Sequence, residues 1–196
     1  MDWTQIIDQL FRWFHVFFGI MWIGLLYFFN FVNANFAKTL DADTKKKVVP
    51  ELMPRALYFF RWAAMITFIL GLCLLYINYS SNHWDAMTTS RGHWIMLGAG
   101  FGTIMWFNVW FIIWPSQRKI INGIKTGSPA APEVVTRATN ASKVNVYLSI
   151  PLVFAMLAAG KHFLMDDWYW YVAVLVIGFL AANGLYKRAA KVSTEV

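Results

Sequence analysis

Residues 10–36 read LFRWFHVFFGIMWIGLLYFFNFVNANF, with Arg12 as the single charge. A transmembrane helix needs about 20 mostly apolar residues, so this run spans a bilayer with length left over to tilt or to project beyond it. It follows MDWTQIIDQ, which lacks the basic start of a secretory leader, and its apolar run is too long for one, so it reads as a retained span. Two-residue alternation is absent. In lipid every backbone N–H and C=O must be bonded internally, and a helix does that within one segment.

Four further stretches pass the same test, about 57–79, 93–114, 144–163 and 168–186. The composition agrees: of 196 residues 59% are hydrophobic and 14% charged, against about 25% charged in a soluble domain. The predicted fold is therefore an all-α integral membrane bundle of about five transmembrane helices, one domain over 1–196. A water-soluble globule and a disordered chain are excluded. The single cysteine, Cys73, excludes an internal disulfide and a cysteine-based zinc or iron–sulfur cage. Cys73 falls mid-span and reads as a small hydrophobe.

The net charge is +7, and its distribution explains it. Lys38, Lys45, Lys46, Lys47, Arg55 and Arg61 lie between or beside the first two spans. Arg118, Lys119, Lys125, Arg137 and Lys143 lie between the third and fourth, and Lys187, Arg188 and Lys191 in the tail. Only Arg12, Arg91 and Lys161 fall at the other side. The positive-inside rule then puts the N-terminus outside and the C-terminus inside. The partner implied is the lipid bilayer, not nucleic acid. The stretch 38–55, with Pro50 and Pro54, reads as an amphipathic piece on the membrane surface, and GSPAAPEVV as a loop.

All four histidines fall toward the N-terminal side. His15 lies inside the first span, His83 in the loop between the second and third spans, His93 at the start of the third span and His162 at the end of the fourth. On a 3.6-residue helix His15, Gly19, Trp22, Leu26 and Asn33 share a face. Gly19 leaves room beside the imidazole for a flat ring or for a neighbouring helix. An intramembrane histidine is a functional candidate by default, and neutral imidazole ligates haem iron. The candidate iron ligands are His15, His93 and His162, holding haem b near the outer face. Arg12 would then meet a propionate and Trp22 pack on the ring. The plain alternative is a histidine bonded to an adjacent helix.

A second polar set lies toward the C-terminal side: Asn30, Asn33, Arg61, Asn108, Ser142, Asn145 and Ser149. Such groups in lipid commonly bond helix to helix. The functional alternative is a pocket in which Arg61 and the asparagines receive an anion. Gly98 and Gly102 form a small-xxx-small helix contact. No phosphate loop, dinucleotide fingerprint, zinc-protease signature or CxxCH haem-attachment motif is present.

The elements Arg12, Trp13, His15, Gly19, Trp22, Ile23, Gly24 and Tyr27 resemble the opening helix of the membrane domain of bacterial membrane-bound urate oxidases. YFFRWAAMITFILGLCLLY resembles the second helix of that family, and NVWFIIWPSQRKII its later Trp-Pro segment. The resemblance implies an oxidoreductase-type role, with His15 as the residue carried over. Urate oxidases of this kind join the membrane domain to a cytochrome c, so a separate c-type cytochrome is the implied electron partner here. Beside this redox reading stand a cofactor-free accessory subunit of a larger membrane enzyme complex and, third, a small transporter.

Overall fold

The structure is a computed structural model that describes residues 2–80, 89–160 and 167–192. Five helices make up almost all of it: α1 Trp3–Thr39, α2 Ala42–Ser80, α3 Ser90–Thr126, α4 Pro132–Gly160 and α5 Trp168–Ala189. Each is long and apolar enough to cross a membrane. The helices run past the apolar stretches at most ends. Residues 38–55, expected as a surface piece, belong mostly to α2, which continues through Pro50 and Pro54. A proline removes one helical N–H and crowds the carbonyl four residues back. The two prolines fall within the first four turns of a 39-residue helix, and the rest of its hydrogen-bond ladder is left intact.

The ends are set locally. Asp2 accepts the Thr4 N–H at the start of α1, and Thr89 Oγ1 the Gly92 N–H at the start of α3. Leu40 and Asp41 alone separate α1 from α2. Asp41 Oδ1 accepts the N–H groups of Asp43 and Thr44 at 3.0 and 2.9 Å, which caps the second helix. Gly127, at φ 74°, ends α3 in the left-handed region that glycine tolerates best.

Two of the helices contain a π turn, Phe28–Asn33 in α1 and Asn108–Ile113 in α3. Such a turn inserts an extra residue and disturbs the carbonyl ladder. Side-chain amides collect carbonyls at these places. Asn30 Nδ2 donates to Leu26 O and Asn35 Nδ2 to Phe31 O around the first, and Asn145 Nδ2 donates from α4 to Met105 O beside the second.

The helices pack as a hairpin, α1 on α2, and a trio, in which α4 lies between α3 and α5. The C-terminal half of α3 also packs on α2, and α4 touches α1. One core draws on all five helices, including Leu26, Phe60, Val109, Val146 and Ala182. A smaller core nearer the N-terminal end belongs to the trio alone, with Trp94, Ala155, Ala158 and Val174. Gly178 allows α5 to close on α4, since a Cβ there would lie 2.8 Å from Pro151 Cδ. Gly98 and Gly102 likewise face Met156 and Leu152 of α4, as their spacing predicted. Lipid is as apolar as leucine, so burial does not drive these contacts; close packing and interhelical hydrogen bonds do.

Candidate functional site

Between α1 and α2 the N-terminal end holds a polar cluster within an apolar surface. Arg12 pairs with Asp8 one turn away and donates to Asn78 Oδ1 at 3.3 Å. Asn78 in turn donates to Leu74 O. One turn further along α1, His15 Nδ1 lies 2.9 Å from Thr67 O. A carbonyl only accepts, so Nδ1 carries the hydrogen and the imidazole is fixed in one orientation. In the neutral ring Nε2 then bears the lone pair. Among the described residues Nε2 has no hydrogen-bond partner, and it is not among the buried unpartnered atoms. The nitrogen that can ligate a metal is therefore unpartnered and not fully enclosed. A backbone carbonyl on the other ring nitrogen is the support that metal-ligating histidines commonly have.

Gly71 makes this placement possible, because a Cβ at that position would lie 3.1 Å from His15 Cε1. The room that Gly19 leaves is filled by α2: a Cβ there would meet Thr67 Cγ2 at 3.8 Å. The neighbouring helix α2 thus packs against Gly19. Trp22 is 3% exposed and sits in the five-helix core, and among the described residues its Nε1 has no acceptor. Arg12 is already engaged by Asp8 and Asn78.

The histidines divide between the two packing groups. His93 occupies the first turn of α3, half buried beside Trp94, and its N–H bonds to Thr89 O. The N-terminal half of α3 packs on α4, not on α1, so His15 and His93 stand on different helix groups at the same end. His83 and His162 lie outside the described residues. Among the described residues no three His, Cys, Asp or Glu side chains come together to hold a metal ion. A group bound at this hairpin would take a single imidazole, that of His15.

The second polar set is spent on joining helices. Ser149 Oγ donates to Val146 O, so Tyr27 Oη donates to Ser149 at 2.9 Å. Asn30 Nδ2 donates to Ser142 Oγ at 2.8 Å, and its carbonyl accepts the Tyr186 hydroxyl at 2.9 Å. Asn108 Nδ2 donates to Asn145 Oδ1 at 2.8 Å, with Asn145 fully buried. Asn33 reaches only the Met53 sulfur, at 3.5 Å. Arg61 stands apart from these amides. Its guanidinium lies 4.0 Å from the centre of the Trp114 ring, with Tyr58, Trp62 and Trp110 at 5.8 to 5.9 Å. The Trp110 indole N–H donates to Arg61 O.

Reasoning from sequence passed over Thr67 and Gly71, yet their four-residue spacing on α2 is itself a small-xxx-small signal beside the histidine helix. The aromatic surround of Arg61 was also written there: Tyr58 and Trp62 flank it, and Trp110, Trp114 and Arg118 recur at four-residue spacing.

Against known proteins, the model of the family described as "Urate oxidase N-terminal" matches residues 81–190. The match takes in the Trp-Pro segment 108–121 and His93, while His15 and Arg61 precede it. No curated protein and no solved structure matches the chain.

Proposed function

The chain belongs to the urate oxidase N-terminal family, and from that premise we propose that it is a membrane electron-transfer protein that uses His15 as an axial ligand to haem b. The observation that carries the reading is the unpartnered Nε2 of His15, oriented by the Nδ1–H bond to Thr67 O. That bond fixes the tautomer and raises the basicity of the opposite nitrogen. When bound, the haem would supply a one-electron couple. The residues here would do the rest. Thr67 O aims the imidazole, and Gly71 lets the ring approach α2. Arg12 keeps one cation at the entrance, balanced by Asp8.

His93 and His162 are the candidates for a second iron ligand. A c-type cytochrome is the partner that the reading calls for, and the basic C-terminal end supports placement in a bacterial inner membrane with the His15 end outward. The test is the reduced-minus-oxidised spectrum of the detergent-purified protein from haem-replete cells. A b-type α-band that disappears in His15→Ala and survives in His83→Ala is the expected result. A flat spectrum overturns the haem reading and makes the chain a cofactor-free accessory subunit of a larger membrane enzyme.

A further inference from the structure

Arg61 and Arg118 bracket one indole. The Arg61 Cζ is 4.0 Å and the Arg118 Cζ 5.9 Å from the centre of the Trp114 ring. Two cations sharing one ring repel each other, and the ring quadrupole offsets only part of that, about 0.5–2 kcal/mol for each contact. Carboxylates would be the usual remedy. Among the described residues the ion pairs are Arg12 with Asp8 and Arg55 with Glu51, and neither involves Arg61 or Arg118. The Arg61 Nε is moreover buried with no acceptor among the described residues, a position that normally costs about 1–3 kcal/mol. The arrangement is thus one anion short.

Its surroundings say which anion. Tyr58 and Trp62 are 52% and 41% exposed. On a spanning helix their rings face lipid, at the level where aromatic side chains meet headgroups. Arg118 is exposed, and it begins the basic part of α3 that continues with Lys119 and Lys125. The seam where α2 packs on the C-terminal half of α3 therefore faces the bilayer side, with two forked donors at its edge. Guanidinium groups suit the paired oxygens of a phosphate.

We propose that Arg61 and Arg118, set around Trp114, bind the phosphate of an anionic phospholipid headgroup. The ligand chemistry is an oxyanion, and free phosphate shares it; the lipid-facing rings favour the lipid. Arg61 lies on α2 six residues from Thr67, about 9 Å of helix away from the His15 contact, and this site does not depend on a cofactor.

The experiment is native mass spectrometry of the full chain in detergent, titrated with phosphatidylglycerol, with phosphatidylcholine, and with phosphatidylglycerol in the presence of inorganic phosphate. Selective retention of phosphatidylglycerol is expected, weakened about tenfold in Arg61→Gln and in Arg118→Gln, the size of one charge-assisted bond. Arg118 is exposed, so its variant keeps the test intact if Arg61→Gln does not fold. Equal retention of the two lipids, or phosphatidylglycerol retention unchanged in Arg118→Gln, overturns the proposal. Displacement of the lipid by millimolar inorganic phosphate overturns the lipid assignment in favour of a soluble oxyanion.

Discussion

At the N-terminal end, α1 and α2 keep their polar groups to themselves: Asp8, Arg12, Asn78, His15 and Thr67 bond across the hairpin. In the C-terminal half the amides and hydroxyls run from helix to helix. Tyr27 reaches Ser149, Asn30 reaches Ser142 and Tyr186, Asn108 reaches Asn145, and Asn35 reaches Ala189 O. The difference separates two uses of polarity in lipid. Where donors find acceptors on other helices, the polar groups hold the bundle together. Where one imidazole nitrogen remains unpartnered, the group is available for chemistry. Both π turns lie with the first kind, their loosened carbonyls collected by Asn30, Asn35 and Asn145.

The sharpest way to break this comparison is Asn145→Leu. It strands the Asn108 donor and the Met105 carbonyl in a buried site, at about 2 kcal/mol. Of all the substitutions proposed for this protein, it should lower the melting midpoint in detergent the most. A cycle with Asn108→Ala should give a coupling of about 0.6–1.7 kcal/mol, the range for interhelical bonds in membranes. A melt equal to that of the unmodified chain would show that packing, not the amides, ties the C-terminal half together.

Gly71→Ala probes the other region. Alanine gains up to about 1 kcal/mol in helix propensity, and the Cβ presses on His15 Cε1 at 3.1 Å. The ring has only a few tenths of an ångström to yield. Stability should change by less than about 1 kcal/mol, while the His15–Thr67 bond is disturbed. The readouts are the ring-nitrogen shifts of 15N-histidine-labelled protein and the intensity of the b-type band. If both stay fixed while the melt falls, Gly71 serves packing alone. Arg12→Gln should matter still less to stability, about 0–1 kcal/mol, because the Arg12 side chain is 42% exposed and its pair with Asp8 is screened.

The five spans were legible because hydropathy over 20 residues outweighs local detail, and the small-residue contact of Gly98 and Gly102 was legible from spacing. The long extensions were not. Lys45, Lys46 and Lys47, with Pro50 and Pro54, resemble a surface piece, but a 39-residue helix absorbs them because its apolar part fixes the direction of the chain. The π turns left only a faint mark, an asparagine among aromatics at Asn30 and at Asn108. At the candidate site the histidine was visible and its partner was not. The acceptor is a backbone carbonyl, Thr67 O, and any residue type supplies one. The same blindness applied to Gly19, whose open space could be assigned to a ring or to a helix until α2 was seen against it.

The smallest expected effect lies in the two-residue link between α1 and α2, and it has a definite sign. Asp41 accepts two backbone N–H groups and the Thr44 hydroxyl, the last at 2.6 Å. The Thr44 hydroxyl first, and then the Thr44 and Asp43 amides, favour the ionised carboxylate and hold its pKa below the ordinary value. A carboxyl depressed in the folded state adds stability that is fully present above its unfolded pKa and lost as the pH falls through the folded one. Asp41→Asn keeps a side-chain acceptor and removes the titration. The unmodified chain should therefore melt slightly above Asp41→Asn at neutral pH, and the gap should narrow below about pH 4. Taking the difference between the two proteins cancels the carboxylates they share. Asp41 is exposed, so the gap should be far smaller than that of Asn145→Leu. A gap as large would mean that the short link, rather than the amide bonds between helices, holds the C-terminal end together.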